Sequence, residues 1–259
     1  MDVVLKCVNF IRSHALNHRQ FKDFLESIEC DYTDVPYHCE VRWLSRAKTL
    51  ERFFNLREYI SEFMLGTGKN IPELDDPTWV QDLAFLVDLT KHLNDLNLKL
   101  QGKDKLICDI NDAVKAFKLM ISLRKTQIEN HNFTHFPYLR SLNARVDVQK
   151  YIAILSSVKD EFDNRFHDLE VLQLKLELFT MPYSAKPLDV PSSLQLELID
   201  LQCNSELTKI YINKDISGFY KALERTRYPQ FHRFAAEMIY IYIFQHLYLR
   251  TVFFPDEAK

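Results

Sequence analysis

Arg42, Trp43 and Arg46 are the side chains of this sequence best suited to hold a nucleic acid. An indole offers a base a face to stack on, and guanidinium groups meet phosphate oxygens. Lys48, Arg52 and Arg57 add positive charge in the turns that follow. The same residues have a plainer use, with Trp43 packed at a helix junction and the arginines paired with Glu40, Glu51 and Glu58 on a wet face. Packing is the commoner fate of a lone tryptophan, so nucleic-acid contact ranks second, weak and unspecific. Other groupings offer less. His131 and His135 stand at i and i+4, but Asn132 and Pro137 set them in a loop without a further ligand pair. Asp160, Glu161, Asp163 and Asp168 read as a solvated helix face. No strand–turn–helix setting supports a serine nucleophile. With 4 glycines in 259 residues, no Gly-rich loop can cradle a phosphate. No metal, no cofactor and no small-molecule substrate are expected.

The 5 cysteines, Cys7, Cys30, Cys39, Cys108 and Cys203, form no closely spaced pair. They read as reduced thiols of an intracellular protein. Asn132-Phe-Thr134 fits a glycosylation sequon, but no targeting segment is visible at the N-terminus, and the match reads as chance. A formal net charge of −3 and a pI near 6.3 argue against a globally basic nucleic-acid binder.

Helices must position these groups. Glycine at its usual ~7 % would give about 18 in a chain this long, so tight turns and hairpins are scarce. The fold class expected is all-α. Helices are expected over Val3 to Ala15, Arg19 to Glu29, and Ser45 to about Met64. Ser45 caps the third, Leu50, Phe53, Leu56, Ile60 and Phe63 make its apolar stripe, and Gly66-Thr-Gly68 ends it. Asp76-Pro77 opens a helix to Leu100. Asp109 or Asp112 starts another, through Val114, Phe117, Met120 and Ile121. A polar and aromatic loop spans Asn130 to Pro137, and one long helix runs from about Asp147 to Leu178. Pro182, Pro187 and Pro191 mark a linker over 182–192, which separates a helical region 1–181 from a C-terminal region 193–259. The latter carries helices over Ser193 to about Leu207, Ile216 to Glu224, and Phe231 to about Leu249.

Several stretches carry a family likeness. Val8-Asn-Phe-Ile-Arg-Ser, Ala15-Leu-Asn-His-Arg-Gln-Phe21 and Tyr37-His-Cys-Glu-Val-Arg-Trp-Leu-Ser-Arg46 resemble vertebrate proteins derived from hAT-superfamily DNA transposases, including relatives with a BED zinc finger. The resemblance continues through Trp79-Val-Gln-Asp-Leu, Leu93-Asn-Asp-Leu-Asn-Leu-Lys-Leu-Gln-Gly102 and Pro191-Ser-Ser-Leu-Gln-Leu-Glu-Leu-Ile-Asp-Leu-Gln202. It implies the helical insertion domain of such a transposase followed by a C-terminal remnant of its split RNase H-like fold. Active members resemble two-metal nucleases with two Asp and one Glu as ligands. By the resemblance, both aspartates precede the region where Val3-Val4 begins to match. The third carboxylate follows a helix matched by Arg233-Phe-Ala-Ala-Glu-Met238 and aligns with Tyr248-Leu249, and Leu cannot ligate a metal. The expectation is therefore no catalytic residue and no enzyme. The likeness also implies that Trp43, supported by Arg42, stacks near a DNA end, and that the protein is nuclear or cytoplasmic and not secreted.

The run from Met238 to Leu249 is nearly unbroken apolar and aromatic, yet too short to span a bilayer. Met238, Ile239, Ile241, Ile243, Phe244, Leu247 and Leu249 are the interface candidates. The expected function is non-catalytic, through contact with a protein partner or a second copy, with no membrane partner. A weak nucleic-acid-binding module centred on Arg42 and Trp43 is the alternative.

Overall fold

The computed structural model describes residues 1–28, 30, 32, 34–35, 43–101 and 106–240, with the backbone alone for 43–46. Among the described residues, helices alternate with turns and no strand occurs, as the all-α reading expects. They fall into two compact units. The first contains Met1–Lys99 and Leu119–Lys159, and the second Leu100–Lys118 and residues 160–240. The units interleave along the chain, and the prolines at 182, 187 and 191 lie within the second.

In the first unit, α1 (Asp2–Ser13) and α2 (Ala15–Ser27) pack on one another and on α3 (Trp43–Gly66). The α3 stripe of Leu50, Phe53, Leu56, Ile60 and Phe63 is buried throughout. Each such side chain contributes roughly 1.5–3 kcal/mol by leaving water. Phe63 meets the Phe21 ring edge-on at 5.0 Å. The helix begins two residues before Ser45, so that serine sits inside the first turn and not at the cap. At the other end, Lys69 N donates to Met64 O and Gly68 N to Leu65 O, both at 2.9 Å. Gly68 has φ +76°, the left-handed conformation that closes such a helix end.

Helix α4 (Pro77–Leu100) opens as its sequence dictates, with Thr78 N donating to Asp76 Oδ1 at 2.9 Å. α5 (Ile107–Glu129) starts slightly before Asp109, whose carboxylate accepts from Leu106 N. Its end repeats the α3 closure without glycine. Asn132 N donates to Gln127 O at 2.8 Å, and His131 takes φ 54°. A short helix, α6 (Pro137–Ser141), follows what reads in the sequence as plain loop. α7 (Val148–Arg165) brings Tyr151 onto Phe85, with stacked rings 4.2 Å apart.

The long helix expected from Asp147 to Leu178 is broken in the structure. α8 (His167–Val171) and α9 (Gln173–Thr180) are separated from α7 and from each other at Phe166 and Leu172. Neither proline nor glycine marks these bends. At the first, Lys118 Nζ contacts Asp163 and Glu170, each at 2.8 Å, on either side of Phe166. Phe162 lies against both Phe117 and Phe166, at 4.7 and 5.6 Å. A tertiary clamp, and not local propensity, bends this segment.

The rest of the second unit is α10 (Ser192–Cys203), α11 (Ser205–Asn213), α12 (Ile216–Ala222) and α13, described over residues 229–240. Asn204 caps α11 and Asp215 caps α12. Gln202 of α10 holds the proline-bearing turn by donating to the carbonyls of Pro182 and Ala185, both at 2.8 Å. No helix among the described residues is long and apolar enough to cross a membrane.

Candidate interaction surface

Helix α13 owes its position to one carboxylate. Glu197 of α10 accepts from the backbone N–H groups of Gln230 (3.0 and 3.1 Å) and Phe231 (2.9 Å), the free donors of the first turn. This fixes α13 beside α9 and the start of α10. Phe179 of α9 stacks on Tyr220 at 4.8 Å, and the Tyr220 hydroxyl donates to Phe179 O at 2.9 Å.

Between these elements lies an open cavity of about 590 Å³. Leu178, Leu194 and Phe234 form its floor, each nearly sealed from water. Its rim is apolar as well, with Leu174 74 % exposed and Val171 70 % exposed. A smaller hollow of about 220 Å³ shares Leu174, Leu178, Asp189 and Val190 and extends toward Met181. Lys175 and Glu237 form a 2.7 Å ion pair between α9 and α13. Arg233 and Asp189 also line the cavity. Large exposed apolar side chains around a concave floor are the surface signature of a contact site.

The first unit holds its charges differently. Arg12 and His18 (2.8 Å) bond to the Asp34 carboxylate, with Lys22 3.7 Å away. Burial alone would push this carboxyl up, yet the His18 and Arg12 bonds hold it below its ordinary range. Glu51 behaves similarly. Burial raises it, but the Tyr138 hydroxyl (2.7 Å) and Lys91 (3.0 Å) bring it down. Asp88 goes the other way. It is 1 % exposed, and burial lifts its pKa to about 6 although it accepts from Leu139 N (3.0 Å) and Tyr138 N (3.3 Å) at the start of α6. One turn on, His92 is pushed down to about 4, first by burial and then by the nearby Arg124 cation. These groups position the connections of the first unit.

Of the nucleic-acid candidates, Arg42 lies outside the described residues, and Trp43 and Arg46 are described only as backbone in α3. Their neighbours are engaged. Arg52 stacks over the Tyr32 ring at 4.4 Å and donates to Asp34 O, while Arg57 pairs with Glu58 at 2.7 Å and covers the Phe54 ring. Glu51 takes Lys91 and Tyr138 in place of an arginine. His131 closes α5, and His135 bonds to Gln127 at 2.7 Å. Asp160, Glu161 and Asp168 are exposed, whereas Asp163 is half-buried against Lys118. Among the described residues, no group of three or more His, Cys, Asp or Glu is placed to hold a metal ion. Cys7 and Cys108 are buried, and burial pushes both thiols up to about 11. Cys203 is exposed and Cys39 lies outside the described residues.

Of the interface candidates, Met238 is fully buried within its own chain and Ile239 is half-buried. Ile241, Ile243, Phe244, Leu247 and Leu249 lie outside the described residues. The cavity around Leu174 is almost illegible in sequence, because its walls come from segments far apart in the chain. Its one local signal is the alternation Leu172, Leu174, Leu176, Leu178, which no single buried helix face can absorb.

Residues 1–129 match the FAM200/GTF2IRD2 helical domain family. Beyond that half, the similarity runs almost the whole length of the chain. It is 39 % identical over 240 residues to General transcription factor II-I repeat domain-containing protein 2 of Bos taurus, covering 92 % of this chain and 25 % of that protein. The protein of the same name from Mus musculus is 37 % identical over 248 residues, covering 95 % of this chain and 26 % of its own length. The chain thus spans about a quarter of the length of the curated relatives it matches. No solved structure matches it. The cavity lies C-terminal to the segment that matches the helical-domain family.

Proposed function

We propose that this chain is a non-catalytic contact module of hAT-transposase descent that binds protein through its second unit. The observation that carries the reading is the cavity between α9, α10 and α13, with its apolar floor and exposed Val171 and Leu174. Similarity to proteins named as transcription-factor repeat-domain proteins supports a nuclear setting. In this reading the helical region to residue 181 derives from the transposase insertion and residues 193–259 from the last piece of the nuclease fold. Leu249, where the resemblance would place a metal-binding carboxylate, supports the absence of nuclease chemistry.

The test compares proteins retained from nuclear extract by the wild-type chain and by Leu174→Glu. At a position 74 % exposed the change leaves folding intact and puts a charge on the apolar rim. Partners lost from the variant support the reading. Equal retention overturns it, as does metal-dependent nicking of plasmid DNA by the purified chain. A salt-dependent shift of hairpin DNA, abolished by Trp43→Ala, would replace it with the nucleic-acid reading.

A further inference from the structure

Val171, Leu174, Leu178 and Met181 follow one another at 3-4-3 spacing from the end of α8 to the end of α9, and together they line both hollows of the second unit. Leu178 is sealed in the floor, whereas Val171, Leu174 and Met181 stand 70 %, 74 % and 49 % exposed. This is the spacing at which one helix receives the side chains of another. The row covers about 15 Å of helix, which matches roughly three turns of an occupant. Lys175 meets Glu237 at 2.7 Å and Phe179 meets Phe234 at 6.3 Å, so α13 runs antiparallel to α9 and walls one side of the row.

Whatever lies on this row must bring its own backbone hydrogen bonds. An extended peptide draws them from a sheet edge, and no strand occurs among the described residues. Laid over Leu178, Leu194 and Phe234, it would leave N–H and C=O groups unpaired on an apolar floor. A polyproline segment escapes that cost but docks among exposed aromatic rings, and the ring in this floor, Phe234, is sealed. A helix satisfies its backbone internally and offers the groove side chains alone.

Charge then selects among helices. Lys175 and Glu237 neutralise each other. Arg233, exposed on the α13 wall, meets no carboxylate among the described residues. In the smaller hollow, Glu177, bonded to the neutral amide of Gln173, and Asp189 outnumber Lys186. From this arrangement we infer that the groove binds an amphipathic helix of a partner protein. Its aliphatic side chains follow 3-4-3 spacing, with a carboxylate on the flank facing Arg233 and a base on the flank facing Glu177 and Asp189. The inference rests on the reading of the chain as a contact module and names the occupant of that cavity. Arg233 offers the carboxylate a planar, two-pronged donor, and the aliphatic row around it excludes water. Three turns of helix bury less than the ~1,200 Å² of a standard interface, so binding is reversible and in the micromolar range.

Fluorescence anisotropy of the full chain with a labelled synthetic peptide of about four helical turns is the experiment. The leucines of the peptide follow the 3-4-3 spacing, glutamates line one flank and lysines the other. The wild-type chain should bind it saturably, and should not bind the same peptide broken by a central proline. Arg233→Glu, at an exposed position, should weaken binding about ten-fold or more. It should regain binding to a peptide with lysines in place of the glutamates, which the wild type binds weakly. A misfolded variant could not produce that rescue. Leu174→Glu should weaken both peptides. Absence of wild-type binding overturns the inference, as do equal binding of the proline peptide and an unchanged preference in Arg233→Glu. A wild-type mass of twice 30.8 kDa that falls on adding peptide would assign the groove to a second copy, and would also overturn it. Leu174-dependent retention from extract is scored separately. Retention without peptide binding removes this occupant and leaves the contact module standing, whereas loss of that retention removes the module itself.

Discussion

Both units fix their helices with carboxylates, but they place those carboxylates in different surroundings. In the first, Asp88 is sealed from water and reaches from α4 to the first turn of α6. In the second, Glu197 and Asp215 perform comparable capping at half-buried and exposed positions. A sealed carboxylate is costly to keep charged, and its amide partners have no water to fall back on. An accessible cap is cheap to keep charged and cheap to lose. The first unit should therefore respond steeply to cap removal, and the second weakly.

The largest expected effect tests that difference directly. Asp88→Ala should destabilise the chain by about 2 kcal/mol, the cost of leaving buried donors unpaired, whereas Glu197→Ala should cost about 1 kcal/mol, as for an ordinary helix cap. Urea unfolding of the two variants decides it, and equal losses would erase the contrast.

The second expectation concerns pH. Asp88 has a folded pKa of about 6 against 3.8, so the folded state binds the extra proton between those values and this group's contribution weakens as pH rises. His92 has a folded pKa of about 4 against 6.5, so the unfolded state binds the proton and stability grows as pH rises. The two slopes oppose each other over pH 4–6 and leave the wild type nearly flat there. Asp88→Asn should unmask a rise of stability with pH, and His92→Gln a fall. Below that window Asp34 and Glu51, both held low, lose their contributions as they protonate. Melting temperatures of the three proteins across pH 4–7 provide the check, and parallel curves would contradict it.

A smaller effect belongs to the second unit. A Cβ at Gly218 would stand 2.6 Å from Asp215 Oδ1, the oxygen that accepts from Gly218 N at 3.1 Å. Gly218→Ala must displace this cap and should cost about 1 kcal/mol despite alanine's better helix propensity. A variant as stable as wild type would show that the aspartate can turn aside freely.

What the sequence made legible was local. The α3 stripe and the Asp76-Pro77 start are written in neighbouring residues, and the structure places them as expected. Elsewhere distant partners mostly govern. α6 is capped by a carboxylate 51 residues upstream. The bend at Phe166 is clamped by Lys118 on another helix. At Ser45 the helix simply runs on toward Trp43. The candidate surface was hidden for the same reason, since its floor joins Leu178, Leu194 and Phe234 from three helices. The apolar run starting at Met238 was visible, but apolarity alone does not tell a side chain that meets a partner from one that, like Met238, is buried at home.

The interleaving of the two units has a practical outcome for anyone cutting the gene. A fragment ending at residue 129, where the family match stops, would keep Phe85 while discarding Phe136 and Tyr151, the rings stacked against it. It would also strand Asp88 without the turn it caps, and carry residues 100–118 away from their own unit. Such a piece should come out of cells as inclusion bodies, whereas a single protease nick between α6 and α7 should leave the preparation soluble.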